Sequence, residues 1–239
     1  LREDEMAPWR FALSGTEPHF MVFGDGESGK TTFLRTWLRG LVEATPAERT
    51  RVVLIDYRRT LLDEVPTAHL GGYAASEPAA ADLVAAIVEK MDERLPGSDV
   101  TSAQLRDRSW WSGPDIYVVV DDYDLVVTSG GNPLQPLLPY LAQGRDLGLH
   151  LVTARRVAGA SKSLFESVSS RAREISPVGL ILSGEREEGM LLGTVRASPQ
   201  PPGRGTLVSR GQPPTLVQVA NTPARDDAES SAAERVADR

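Results

Sequence analysis

Bulky apolar residues along this chain fall into two kinds of run. Five short stretches are almost continuously apolar: residues 19–23 (HFMVF), 52–55 (VVLI), 116–120 (IYVVV), 150–154 (HLVTA) and 178–182 (VGLIL). Continuous rather than alternating hydrophobicity marks strands buried on both faces, as in a parallel sheet. Between them the apolar positions take helical spacing. Phe33, Leu34, Trp37, Leu38 and Leu41 form one amphipathic stripe that ends near Glu43, and a longer helix is predicted from Glu77 to Leu95. Ser76 stands at its N-cap position, and Pro96-Gly97 stops it. Further helices are predicted over residues 134–147, with Pro136 and Pro139 near the start, over 163–173 and, briefly, over 185–192. A proline-rich loop at 197–205 leads into two short strands, 206–209 and 215–219. Strands alternating with helices predict an α/β fold, a central mainly parallel sheet flanked by helices.

The ends of the chain read differently from its middle. Residues 1–14 read as a connector with a strand (WRFAL) arriving from a preceding domain, and the first residue, Leu1, suggests a piece of a longer polypeptide. Residues 15–221 form the predicted domain, and 222–239, small and charged, the composition of a disordered tail. The 239 residues suffice for a full core. Cysteine is absent, which excludes disulfides and thiolate chemistry, and three scattered histidines argue against zinc. No stretch reaches the ~18 apolar residues of a membrane helix, so no direct membrane insertion is expected. A net charge of -7 argues against a broad nucleic-acid surface.

The connection after the first apolar run carries the chemistry. Gly24, Asp25, Gly26, Glu27, Ser28, Gly29, Lys30 and Thr31 spell G-x-x-x-x-G-K-[ST], between a predicted strand and a predicted helix. The glycines permit positive φ and close approach, so backbone N–H groups and the helix N-terminus receive phosphate. Lys30 is expected to reach the β- and γ-phosphates, and the Thr31 hydroxyl to ligate Mg²⁺, with Thr32 continuing the cradle. About ninety residues later the third apolar run, 116–120, is followed by Asp121 and Asp122. This is the Walker A and Walker B pairing of a P-loop NTPase, and it implies ATP and Mg²⁺.

Asp121 is the expected magnesium carboxylate. Asp122 stands where many ATPases keep a glutamate that polarises the attacking water; it is one methylene shorter, and it reads either as that catalytic acid or as a turn cap. Thr153 reads as a sensor of the γ-phosphate or as a satisfied strand-terminal threonine. Asp56, after the second run, either supports water and magnesium or organises a turn. Arg58, Arg59, Arg155, Arg156, Arg171 and Arg173 are the arginine-finger candidates. Trp110 and Trp111 either pack on the domain edge or mark an interface.

The segments PHFMVFGDGESGKTTFLR, SWWSGPDIYVVVDDYDLV, GLHLVTARR and LLGTVRASPQPPGRGTLVSRG together resemble the C-terminal ATPase domain of EccC proteins, the FtsK/SpoIIIE-like motor of the mycobacterial type VII (ESX) secretion system. The resemblance implies an FtsK/RecA-like fold of the ASCE type and tandem ATPase domains in one membrane-anchored assembly. It also implies a position on the cytoplasmic side of the membrane, oligomerisation, and recognition of Esx-type secreted substrates through a C-terminal signal. An export signal on a helix needs an apolar groove, for which the Trp110-Trp111 loop and residues 190–192 are the candidates. Two departures from DNA-pumping relatives speak against a DNA translocase. The glutamine that usually follows the sensor strand is replaced by Ala154-Arg155, and the winged-helix domain is missing from these residues.

Overall fold

The computed structural model describes residue 13, residues 15–163 and residues 165–222. The connector and strand expected over 1–14 lie outside the described residues save Leu13, which is buried. The tail expected from 222 lies outside them save Thr222, whose hydroxyl accepts from Thr36 Oγ1 at 2.8 Å.

Six strands run parallel: β1 (His19–Phe23), β2 (Thr50–Ile55), β3 (Leu70–Ala74), β4 (Asp115–Val120), β5 (Leu149–Arg155) and β6 (Gly179–Ile181). Two more, β9 (Arg204–Val208) and β10 (Thr215–Gln218), extend the sheet antiparallel beyond β6, giving the order β10-β9-β6-β1-β5-β4-β2-β3. A separate hairpin pairs β7 (Met190–Leu192) with β8 (Val195–Arg196). The helices are α1 (Lys30–Ala44), α2 (Glu77–Arg94), α3 (Ser102–Asp107), α4 (Tyr123–Val126), α5 (Leu138–Leu141), α6 (Gly144–Leu147), α7 (Ala160–Ser163) and α8 (Ser167–Ile175).

The continuous apolar runs are explained by burial on both faces. Val118 and Val120 of β4 point into one layer, against Val84, Ile87 and Met91 of α2, while Tyr117 and Val119 point into the other, against Leu34 and Leu38 of α1. Along α2 the residues Ala80, Val84, Ile87 and Met91 recur at helical spacing and are buried. Burying each of the three larger ones contributes roughly 2 kcal/mol. Ser76 occupies the N-cap of α2, but its side chain makes no capping bond. Thr101 does cap α3, in a reciprocal box with Gln104.

Several expectations need correction. The single helix expected over 134–147 is three short pieces, a 3-10 turn at Gln135–Leu137 followed by α5 and α6. Pro139 within the second piece and Gly144 at the start of the third fit the interruption. The helix expected over 185–192 is one 3-10 turn that ends at Gly189, with φ 80, and then becomes strand β7. Its Leu191 and Leu192 are core residues and only Met190 is exposed, so this segment does not form the apolar groove considered for it. The helix expected from 163 begins at Ser167, capped by Glu166. Strand β3 and helices α3 and α4 were not expected at all.

Candidate functional site

The P-loop is held from outside by backbone. Gly24 N–H donates to the Arg155 carbonyl at 3.1 Å, Asp25 N–H to Ser183 O at 2.8 Å, and Gly203 N–H to Ser28 O at 2.8 Å. The Asp25 carboxylate accepts from Ala158 N–H at 3.0 Å. Gly29 sits at the N-cap of α1 with φ 100, and no side chain caps the helix. The first turn, Lys30 to Thr32, therefore offers N–H groups without intrahelical acceptors, together with the positive end of the helix dipole. A Cβ on Gly29 would lie 3.1 Å from backbone atoms of Gly203, so both the conformation and the contact require glycine.

Lys30 is only 8% exposed, and its Nζ donates to the Asp25 carbonyl at 3.0 Å across the loop. Burial pushes its pKa down, against the pull of Asp122, Asp121 and Asp25. The Thr31 hydroxyl donates to Asp121 Oδ2 at 2.7 Å, joining residues 90 apart in sequence. Asp121 is buried; Thr60 Oγ1 donates to the same oxygen at 3.0 Å, and Asp122 N–H donates to Oδ1 at 2.9 Å. Burial raises the Asp121 pKa, the hydrogen bond from Thr31 opposes this, and the neighbouring Asp122 adds to it.

Asp122 is the N-cap residue of α4 and lies in the left-handed region, φ 45 and ψ 55, a conformation that few residues but Gly, Asn and Asp adopt. Its Oδ2 pairs with Arg58 Nε at 3.0 Å. Asp122 therefore stands at a helix start, but its side chain makes no capping bond and its carboxylate faces a cation instead. Thr153 lies in β5, between the P-loop strand β1 and β4, the strand that leads into Asp121, in register with Met21 and Val120. The strand runs on to Arg155, so Thr153 is two residues short of its end.

Asp56 organises a turn. Its Oδ2 accepts from Leu61 N–H at 2.7 Å and from the Tyr73 hydroxyl at 2.9 Å, and Thr60 Oγ1 lies 3.3 Å from Oδ1. Among the finger candidates, Arg58 is engaged with Asp122, Arg155 with Asp124 at 2.7 Å, and Arg171 with Glu174. Trp110 and Trp111 pack on the edge of the domain, donating to the carbonyls of Arg94 and Asp146 at 2.7 and 2.8 Å. The Arg94 guanidinium lies 4.0 Å from the Trp111 ring centroid. A cleft of about 380 Å³ bordered by Arg51, Leu83, Ile87 and Arg94 opens at the amino ends of β2 and β4, opposite the P-loop end of the sheet.

Sequence reasoning missed Thr60, Ser183 and Gly203 as parts of the site. Thr60 had a signal, a polar residue shortly beyond the carboxyl end of a parallel strand, where ligands gather. Gly203 had none beyond its place in the PPGRG segment.

The profile of the FtsK/SpoIIIE family matches residues 5–173. The chain belongs to the FtsK/SpoIIIE family. Within that family it is 50% identical over 209 residues to the ESX-4 secretion system protein EccC4 of Mycobacterium tuberculosis, covering 87% of this chain and 17% of that protein. Among solved structures, the cytoplasmic domain of the Thermomonospora curvata type VII secretion ATPase EccC superposes with a TM-score of 0.90 at 45% identity, covering 94% of this chain and 26% of that one. A structure of T. curvata EccC (ATPases 2 and 3) in complex with a signal sequence peptide gives 0.89 at 45% identity, covering 94% of this chain and 40% of that one. The chain thus spans about a sixth of the first two curated relatives, 17% and 16% of their lengths. Among the described residues no helix is long and apolar enough to cross a membrane.

The donor set fits magnesium and nucleotide. One carboxylate and one hydroxyl, already hydrogen-bonded to each other beside an uncapped helix N-terminus, leave the remaining positions to phosphates and water, the way Mg²⁺ is usually bound. Among the described residues no cluster of three or more His, Cys, Asp or Glu offers a protein-only metal cage.

Proposed function

We propose that this chain is the last ATPase-type domain of a type VII secretion motor, that it binds ATP with Mg²⁺ at residues 24–32, and that its nucleotide state is coupled to recognition of the C-terminal signal of Esx-type substrates. The observation that carries the nucleotide reading is the Thr31–Asp121 hydrogen bond of 2.7 Å, which unites the two halves of an NTPase site. The secretion reading is supported by the EccC relatives and by the signal-peptide complex of one of them. In this reading the domain works on the cytoplasmic side of the membrane, beside preceding ATPase domains and in an oligomer. Nucleic acid is not its substrate, in keeping with the net charge of -7.

The residues divide the work. The N–H groups of the loop beyond Asp25 and of the first turn of α1 receive the β-phosphate, and Lys30 neutralises charge between the β- and γ-phosphates. Thr31 and Asp121 are the residues that would hold Mg²⁺, which would offset the charge of the phosphates. Asp122 orients the attacking water, and Thr153 contacts the γ-phosphate.

Calorimetric titration with Mg-ATP tests the binding step. Lys30→Ala should abolish measurable binding, and parent-like affinity in that variant would refute the assignment.

A second reading, a binding module with structural ATP and little turnover, is favoured by the Arg58 pairing of the short Asp122 carboxylate. Phosphate release by the isolated domain, by Asp122→Ala and by longer tandem proteins separates the two. Turnover that rises on oligomerisation and falls in Asp122→Ala supports the motor; its absence from every protein supports the module.

A further inference from the structure

Resting on the nucleotide reading above, we infer that Thr60 is a positioning residue for the magnesium carboxylate: its hydroxyl fixes the rotation of Asp121, and Asp56 fixes Thr60. Asp121 has three donors around it. Thr31 Oγ1 at 2.7 Å and Thr60 Oγ1 at 3.0 Å converge on Oδ2, while Asp122 N–H at 2.9 Å takes Oδ1. The backbone N–H is fixed by the chain, and the Thr31 hydroxyl must also lend a lone pair to the metal. Thr60 is the donor that has no other duty toward the ligand.

The turn after β2 is built to deliver this hydroxyl. The Asp56 carbonyl accepts from Arg59 N–H at 3.2 Å, and its carboxylate accepts from Leu61 N–H at 2.7 Å, so the residues on either side of Thr60 are both tied to Asp56. Tyr73 on the edge strand holds the same carboxylate at 2.9 Å. Arg59 takes φ 60 to close the turn. The Thr60 carbonyl accepts from Arg35 Nη2 of α1 at 3.1 Å, which ties the turn to the helix that presents the phosphate-binding N–H groups. Thr60 thus connects Asp56, Asp121 and α1 from one exposed turn position. Groups that orient metal ligands in this way typically contribute 10- to 100-fold in metal affinity.

The test uses the full chain, the non-hydrolysable analogue AMP-PNP and free Mg²⁺ as the titrated variable, with Thr60→Ala and Thr60→Ser compared. Because Thr60 is exposed, neither change opens a core cavity, and thermal unfolding checks that both variants fold. Thr60→Ala is expected to raise the Mg²⁺ midpoint for nucleotide binding roughly tenfold. Thr60→Ser should stay within about twofold of the parent, and affinity in EDTA should be unchanged in both. A parent-like Mg²⁺ midpoint in Thr60→Ala, equal impairment of Ser and Ala, or a loss of the same size in EDTA would each overturn the role. If the parent binds no nucleotide in a Mg²⁺-dependent way, the nucleotide reading itself fails and this inference fails with it.

Discussion

Acid should destabilise this domain through one buried imidazole. His19, the first residue of β1, is fully buried. Its Nε2–H donates to the Leu141 carbonyl at 3.0 Å and its Nδ1 accepts from Leu151 N–H at 3.1 Å, so both nitrogens are satisfied in the neutral ring. A second proton on Nδ1 would face the Leu151 N–H and cost that bond. Burial pushes the pKa from 6.5 to about 4, the Leu141 carbonyl opposes this, and nearby His150 adds to it.

The sign follows directly. Between pH 6.5 and about 4 the unfolded chain holds a proton on this histidine that the folded chain does not, so unfolding becomes easier as pH falls through that window. At ~1.4 kcal/mol per pH step the loss reaches ~3 kcal/mol, a large part of a typical 5–15 kcal/mol stability. Denaturant unfolding at pH 7, 6, 5 and 4.5 measures it, in parallel with His19→Gln, whose neutral amide offers a donor and an acceptor but does not titrate. Carboxylates contribute to both curves, so the difference between them isolates His19. The variant should be less stable at pH 7 and should converge on the parent as pH falls. Parallel curves from pH 7 to 4.5 would refute the assignment.

Two further outcomes are expected. Gly203→Ala places a side chain at φ 76, with Gln218 Nε2 only 2.7 Å from the new Cβ, on the loop that holds Ser28. It should cost about 1–2 kcal/mol in denaturant unfolding and weaken Mg-ATP binding in calorimetry, whereas unchanged affinity would separate the PPGRG loop from the site. Glu64 is buried and accepts from Arg35 at 2.7 Å and Arg39 at 2.8 Å, tying the turn after β2 to α1. Glu64→Ala should lower stability by about 2–3 kcal/mol, somewhat less than a fully buried pair because both arginines reach solvent; a loss under about 0.5 kcal/mol would contradict a structural role.

What could be read from the sequence, and what could not, divides along physical lines. Strands β1, β2, β4 and β5 were legible because burial on both faces writes a continuous apolar run. The P-loop was legible because its glycines and Lys30 are set by local backbone geometry. Strand β3 (LGGYA) was not. Its Gly72 lies where a Cβ would come within 2.5 Å of Leu83 of α2, so close packing removed the side chain that would have signalled a strand. The stretch 190–192 shows the opposite error. Three apolar residues fit helix or strand equally by period, and hairpin pairing with β8 decided for strand. Thr60, Ser183 and Gly203 act across distances of 61, 158 and 175 residues in sequence, to Asp121, Asp25 and Ser28. Local periodicity carries no record of such contacts.

The two adjacent aspartates are held by very different means, and this bears on whether binding and turnover are coupled. Asp121 is 1% exposed and fixed by three donors, two of them side chains from separate elements. Removing such a partner from a buried carboxylate costs about 1–3 kcal/mol. The Asp122 side chain is 17% exposed and is paired with an arginine that is 49% exposed, an interaction worth about 0–1 kcal/mol. A pair that weak is broken by any better partner for either group, such as a γ-phosphate for Arg58 or a neighbouring domain for Asp122. The Asp121 carboxylate is therefore fixed by the folded domain, while the setting of Asp122, the water-orienting group in the proposed reading, stays open to what binds beside it. On the proposed function, that asymmetry predicts nucleotide binding with low turnover by the isolated domain, and it makes turnover the property that assembly would change.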